Sequence, residues 1–483
     1  MRISLRRLSA VGATTGLMIA MAGAQTTQNS VAITLPSDAD IRTMLAERVN
    51  ALAGQDDGVG IVVGLLGPQG RRVVSYGHLN QGDPRALNGD TIFEIGSVSK
   101  VFTALLLAEM VRKGEVGLAD PVTKCLPLGV KLPERNGRSI TLLDLATHTS
   151  GLPFMPDELP PLSDSIAAKN SDAQLYHFVA RYQLSRDTGT EWDYSNIGYW
   201  LLGQALASRA GTDYENLLRT RVITPLKLTS TSVTPSAKMK ARLAVGHNAV
   251  LQPSPSFSAV PPYGSMAAAG GLLSTANDLL TLLSVAMGYE RSQLAPAIVT
   301  MLSTRRPMPQ AGFEQALGWV VIGKGDDQLI VHEGGTWGYA SYLAWDPKSR
   351  VGVVVLSNQL TGVDDLARHL LRPNVPLAKP TATKRTEIAL DSGMLNAYAG
   401  RYEAEGEGIF IIAREENFLT IQVPADWGLP KLRLRPETQR DFFVAELPLR
   451  VTFENDANGR VNGLLVYPPR GQHAVPAKRI GLD

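Results

Sequence analysis

Phe93-Glu94-Ile95-Gly96-Ser97-Val98-Ser99-Lys100 runs directly into an apolar stretch in which Phe102, Leu105, Leu106 and Met110 recur at three- and four-residue intervals up to Gly114. That period predicts a helix over 101–112 with Ser97 at its first turn. Lys100, three residues on, falls on the same face, so the spacing brings a hydroxyl and an amine together. A serine hydroxyl is a weak nucleophile until a neighbouring base takes its proton, and a lysine does so only with a depressed pKa. The positive end of the helix dipole and partial burial both act in that direction, and first-turn N–H groups favour developing negative charge. No other S-x-x-K occurs in the chain.

Upstream, 61–66 and 72–76 read as two strands joined through Gly67-Pro68-Gln69-Gly70, a hairpin. Downstream, helical patterns cover 199–210, 213–221 and 275–287, and strands return at 328–332, 340–346 and 351–357. Strands at both ends with helices between them predict an α+β domain, an antiparallel sheet flanked by a helical portion. From Arg372 to Thr386 the composition turns to Pro, Thr, Ala and Lys without apolar periodicity, as in a linker. The runs 408–413, 418–423, 442–447 and 461–467 beyond it predict a small β-barrel or sandwich. The expected division is a signal peptide over 1–24, a catalytic domain over 25–372, a linker over 373–386 and a β-rich domain over 387–483.

The signal rests on Arg2, Arg6 and Arg7, an apolar run from Ala10 to Ala22 and a small-residue cleavage site at Ala22-Gly23-Ala24. A secreted or periplasmic address follows, with an uncleaved anchor as the alternative. The run is short of the about 20 residues that span a bilayer, and no later stretch approaches that length. With 47 basic and 45 acidic residues the net charge is +2, which gives no footprint for nucleic acid. Cys125 stands alone, so no internal disulfide exists and the residue reads as a small buried hydrophobe. Histidines at metal-ligand spacing are lacking, as are a G-x-S-x-G elbow and a phosphate-binding loop, so neither metal nor organic cofactor is expected.

Two further stretches carry chemistry. Tyr194-Ser195-Asn196 lies between a turn-rich segment and a helix, on a loop that can face the site with a phenol and an amide. The phenol can share proton transfer with Lys100, and Asn196 can hydrogen-bond a substrate amide. A second Y-x-N, Tyr214-Glu215-Asn216, falls inside a helical pattern where the aromatic reads as core. His332-Glu333-Gly334-Gly335 ends one strand and precedes another. A cationic side chain on an edge strand beside glycines suits a substrate lying alongside as an added strand. Trp337 and Tyr339, just beyond, read as core aromatics.

Taken in order, Phe93 to Lys100, His148-Thr149-Ser150-Gly151-Leu152, Tyr194 to Tyr199, Gly270-Gly271-Leu272 and His332 to Gly335 resemble the superfamily of class C β-lactamases and penicillin-binding D,D-peptidases. The resemblance covers roughly residues 40–370 and implies a sheet plus an all-α region with the site between them. It implies Ser97 as the acylated nucleophile, Lys100 and Tyr194 as the proton-transfer pair, and Asn196 as a substrate ligand. The backbone N–H groups of Ser97 and Gly335 would form the oxyanion hole, and His332 and Gly334 would face the substrate. His148 belongs to a signature taken as structural. Dedicated β-lactamases of the family carry K-T-G where this chain has His332-Glu333-Gly334, the form of its D-amino-acid peptidases and esterases. An imidazole with an unperturbed pKa of about 6.5 is a weaker carboxylate partner near neutral pH than lysine. The resemblance therefore implies a serine hydrolase of D-alanyl peptides or β-lactams, with an esterase, a D-amino-acid amidase or a non-turnover penicillin sensor as alternatives. The tail resembles the lipocalin-like domains that follow many such hydrolases, as a cover over the site or an oligomer contact.

Overall fold

The computed structural model describes the chain except residues 1–34, 54–57, 156–171, 255–266, 361, 379–384, 425–426, 428, 430, 469–473 and 482–483. The expected signal and its cleavage site lie outside the described residues.

An eight-stranded antiparallel sheet forms the frame. Its strands are β1 (Gly60–Gly67), β2 (Gly70–Gly77), β3 (Arg305–Pro307), β4 (Phe313–Ala316), β5 (Val320–Ile322), β6 (Leu329–Gly335), β7 (Ala340–Asp346) and β8 (Val351–Ser357), in the spatial order β2-β1-β8-β7-β6-β5-β4-β3. The expected hairpin is present, with Gly67 paired to Gly70 across the turn. β1 also pairs with β8, Ile61 opposite Ser357, so the first and last strands of the sheet lie side by side. Every residue of β1, β7 and β8 is buried, which fits their nearly unbroken apolar runs: both faces are covered.

One face packs on α1 (Asp38–Ala53) and α7 (Asp364–Leu371), through Ile41, Leu45, Leu366 and Leu370. These helices are tied by a bidentate pair in which Arg48 donates to Asp365 at 2.9 and 2.6 Å. The other face meets a helical region inserted between β2 and β3. Within it lie α2 (Ser99–Arg112), α3 (Leu142–Ala146), α4 (Asn196–Ala210), α5 (Ala267–Gly270) and α6 (Ala276–Ala286). Gly64 faces α6, where an added Cβ would come within 2.9 Å of Leu280. α2 is the central element: Ser99 through Met110 are all buried, so the helix is enclosed on every side and carries more than a single apolar face.

The tail closes into a barrel of β9 (Gly400–Ala404), β10 (Gly408–Glu415), β11 (Phe418–Gln422), β12 (Leu432–Pro436), β13 (Asp441–Phe443), β14 (Arg450–Asn455), β15 (Val461–Tyr467) and β16 (Val475–Gly481). β16 pairs back onto β9, which leaves no edge. Tyr402, Phe410, Phe442 and Phe453 fill its interior. The expected strand over 442–447 is shorter than its apolar run. It ends at Phe443 because the following residues leave the ladder: the Ala445 carbonyl accepts the Ala249 N–H at 2.9 Å, a contact with the first domain. Trp337 is not core of its own domain as expected; it packs against the barrel's apolar cluster. Tyr339 is core, donating its hydroxyl to Ala244 O at 2.6 Å. Among the described residues no helix is long and apolar enough to cross a membrane.

Candidate active site

Ser97 sits in a single 3-10 turn, Gly96–Val98, that runs into α2 at Ser99. The i, i+3 spacing holds: Lys100 Nζ donates to Ser97 Oγ at 3.1 Å. The same nitrogen donates to Asn196 Oδ1 at 2.7 Å and to the carbonyl oxygen of Ala269, on α5, at 2.5 Å. An ammonium has three donors, and here three oxygens receive them, which is how a fully buried lysine side chain is tolerated. Tyr194 OH donates to Ser97 Oγ at 2.7 Å, and Lys100 Nζ lies 4.8 Å from the Tyr194 ring centre. Ser97, Lys100, Tyr194 and Asn196, separated by up to 99 positions in the numbering, thus form one hydrogen-bonded cluster between sheet and helical region.

The loop that delivers Tyr194 is held at its end by α4. Ser195 is the N-cap: its Oγ accepts the Gly198 N–H at 2.8 Å and donates to Pro153 O at 2.7 Å. Trp192 donates its indole N–H to Gln315 Oε1 on β4 at 3.1 Å. Tyr214, in the second Y-x-N, is buried behind α2 with its hydroxyl 2.7 Å from Thr103 Oγ1, and burial pushes its pKa well up. That tyrosine is core, as its helical pattern indicates.

The third motif differs from its expectation in one respect. β6 is an interior strand, paired with β7 along its length and with β5 only at Leu329 to Val331. Its end, His332 to Gly335, outruns β5, so within β6 only this stretch has no strand partner on that side. The glycines serve the protein's own backbone. A Cβ on Gly334 would lie 2.1 Å from Ile95 O, and one on Gly96 would lie 2.6 Å from both N and O of Gly335. Gly96 also adopts φ +48, a region that glycine enters without strain. The two glycines seat the end of β6 against the turn that bears Ser97, which brings the Gly335 backbone beside that turn. His332 is buried, with Nδ1 2.8 Å from the carbonyl oxygen of Glu333.

Two members of the site are given no part in it by the motif reading. The Ala269 carbonyl takes one lysine proton, and a backbone oxygen 169 residues away leaves no side-chain signal. His148 Nδ1 accepts the Ser195 N–H at 3.1 Å. Burial, together with the charges of Lys100 and His332, holds its imidazole well below the usual range, so it is neutral.

A serine hydroxyl touched by both an amine and a phenol, set between a sheet and a helical region, defines an active-site serine hydrolase. The family profile described as Beta-lactamase matches residues 45–373, and the chain belongs to that family. Over 332 residues it is 30% identical to the D-alanyl-D-alanine-carboxypeptidase/endopeptidase AmpH of Escherichia coli, covering 64% of this chain and 83% of that protein. An Escherichia coli beta-lactamase is 28% identical over 326 residues, 59% of this chain and 80% of its own. The fold is shared with a beta-lactamase/D-alanine carboxypeptidase from Yersinia pestis, crystallised with citrate (TM-score 0.59, 24% identity, 70% of this chain and 98% of that one). A class C beta-lactamase from Rhodobacter sphaeroides superposes with a TM-score of 0.58 at 25% identity, over the same shares.

Proposed function

We propose that this chain is an exported hydrolase that forms an acyl-enzyme on Ser97, acting on D-alanyl peptides and on β-lactams that mimic them. The observation that carries this reading is the pair of contacts at Ser97 Oγ, 2.7 Å to Tyr194 OH and 3.1 Å to Lys100 Nζ. In the acylation step Oγ adds to the acyl carbon. The reacting form has lost one proton from this cluster, leaving Lys100 a neutral amine: Nζ takes the proton from Oγ, and Tyr194 passes its own proton to the leaving nitrogen as it recovers one from Lys100, so the amide bond breaks without a free amide anion. The carbonyl oxygen gains charge as Oγ adds, and the backbone N–H groups of Ser97 and Gly335 receive it. Asn196 places its carbonyl on Lys100, which leaves its amide N–H groups to hold a substrate carbonyl. Water then attacks the ester on Ser97 and restores the enzyme. Export rests on the basic and apolar pattern of residues 1–24, and the domain division on the loss of apolar periodicity over 373–386.

One observation favours a second acyl donor. His332 replaces the lysine of dedicated β-lactamases, and its Nδ1 is engaged with the Glu333 carbonyl. A site with this weaker carboxylate partner also suits esters and D-amino-acid amides. Intact-mass spectrometry after brief exposure to a fluorescent penicillin, with Ser97→Ala as control, tests the nucleophile and the substrate class together. A penicilloyl adduct on wild type alone is expected. No adduct, with turnover of a p-nitrophenyl ester but not of a D-Ala-D-Ala peptide, would move the assignment to esterase.

A further inference from the structure

We propose that His148 is a positioning residue for Tyr194, holding the phenol against Ser97 by gripping the backbone on both sides of it and supporting its ring from beneath. The proposal rests on the reading above in which Tyr194 carries the Ser97 proton.

Three contacts converge on one short segment. The His148 carbonyl oxygen accepts the N–H of Asp193 at 2.8 Å, and its Nδ1 accepts the N–H of Ser195 at 3.1 Å. The imidazole lies stacked on the Tyr194 ring, 4.3 Å between centres and 30° between planes. One residue therefore fixes the amides before and after Tyr194 and one face of its phenol. Few other side chains can do this, because the site requires an acceptor atom and a flat ring in the same group. The backbone of His148 also turns through φ +57. Among residues other than glycine, that left-handed region is most open to asparagine, aspartate and histidine.

The contacts also fix the chemical form of the ring. Nδ1 must accept from Ser195, so the neutral ring carries its proton on Nε2. An imidazolium would set an Nδ1–H against the Ser195 N–H, donor against donor, and would push the loop away. The groups that face the ring are Tyr194, Tyr199, Trp192 and the charges of Lys100 and His332, and none of them is an anion that would stabilise an imidazolium. The neutral state is thus supported by burial and by the very lysine the reaction uses.

The test is a double-mutant cycle on the full chain, reading the rate of penicillin or ester acylation. His148→Asn retains tolerance of the left-handed backbone and a short acceptor but removes the ring. It should slow acylation by about 10- to 100-fold with KM little changed, as expected when a reacting group is displaced but substrate binding is not. Tyr194→Phe should slow it at least as much, and the double variant should be no slower than Tyr194→Phe alone. Additive losses would mean that His148 does not act through Tyr194. Full activity in Tyr194→Phe would instead overturn the proton-transfer reading, and the proposal with it. A measurement on the wild type needs no variant to fold: the 15N spectrum should show His148 as the Nε2–H tautomer in active enzyme. An Nδ1–H or doubly protonated ring in active enzyme would exclude the proposal.

Discussion

Stability and chemistry meet at single residues in this site, and His148 shows how. Its pKa is lowered in the folded chain, so between that value and the unfolded value of about 6.5 the unfolded state binds more protons. The sign follows: the contribution of a neutral His148 is complete above about pH 6.5 and is lost as pH falls, with a slope of at most about 1.4 kcal/mol per pH unit. Urea unfolding at pH 5 and pH 7 should therefore give a larger difference for wild type than for His148→Asn. Equal differences would show that the imidazole does not titrate on unfolding in that range. Ser97 and Lys100 are legible in the sequence because they are three positions apart and local geometry alone unites them. The partnership of His148 with Ser195 is not, since it is made by two loops whose approach no period encodes. Its role as more than a structural histidine emerges only when Asp193, Tyr194 and Ser195 are seen folded around it.

Among elements, legibility follows the strength of the pattern. The strands 340–346 and 351–357 coincide with their apolar runs because both faces are buried and nothing else satisfies their backbone. α2 and α4 begin two and three residues before the expected 101 and 199, since Ser99-Lys100 and Asn196-Ile197-Gly198 fall outside the apolar period read from the sequence. The short strands β3 and β4 carry Arg305, Arg306, Glu314 and Gln315, which no apolar alternation marks. In the barrel, Leu432-Arg433-Leu434-Arg435 does alternate with the buried and outward positions of β12. Arginine and the closing Pro436 make it a strand of low propensity, held by its neighbours in the closed ladder. The cap of α4 is the element whose removal tests this site most directly. Ser195→Ala deletes a buried acceptor for Gly198 and a buried donor to Pro153, and should cost about 1–2 kcal/mol. The denaturant midpoint measures it, and an unchanged midpoint would mean that α4 is started by packing alone.

For the whole molecule, the contact between its two parts is the open quantity that the sequence hides, because the tail's pattern shows a barrel without showing what the barrel touches. Trp337, two residues past Gly335, lies against the barrel's apolar cluster, and the Ala445 carbonyl is bonded to Ala249. Trp337→Ala should loosen the docking, so that a calorimetric scan showing one cooperative transition in wild type resolves into two. A single unsplit peak in the variant would place the coupling elsewhere.

The placement of β1 between β2 and β8 has a consequence in time. Gly60 N–H is bonded to Asn358 Oδ1 across 298 positions of chain, with the entire helical region between them. At a synthesis rate of about 5–20 residues per second, β1 waits roughly 15–60 s for β8 to be made. During that interval the sheet has an unfilled slot, and the hairpin of β1 and β2 presents an apolar, unpaired edge. Folding of the frame therefore waits until β8 (Val351–Ser357) has been made, while the barrel strands from Gly400 onward are still to come. A chain in that state is long, unfolded and threadable, and it also needs shielding from its own kind until β8 has emerged.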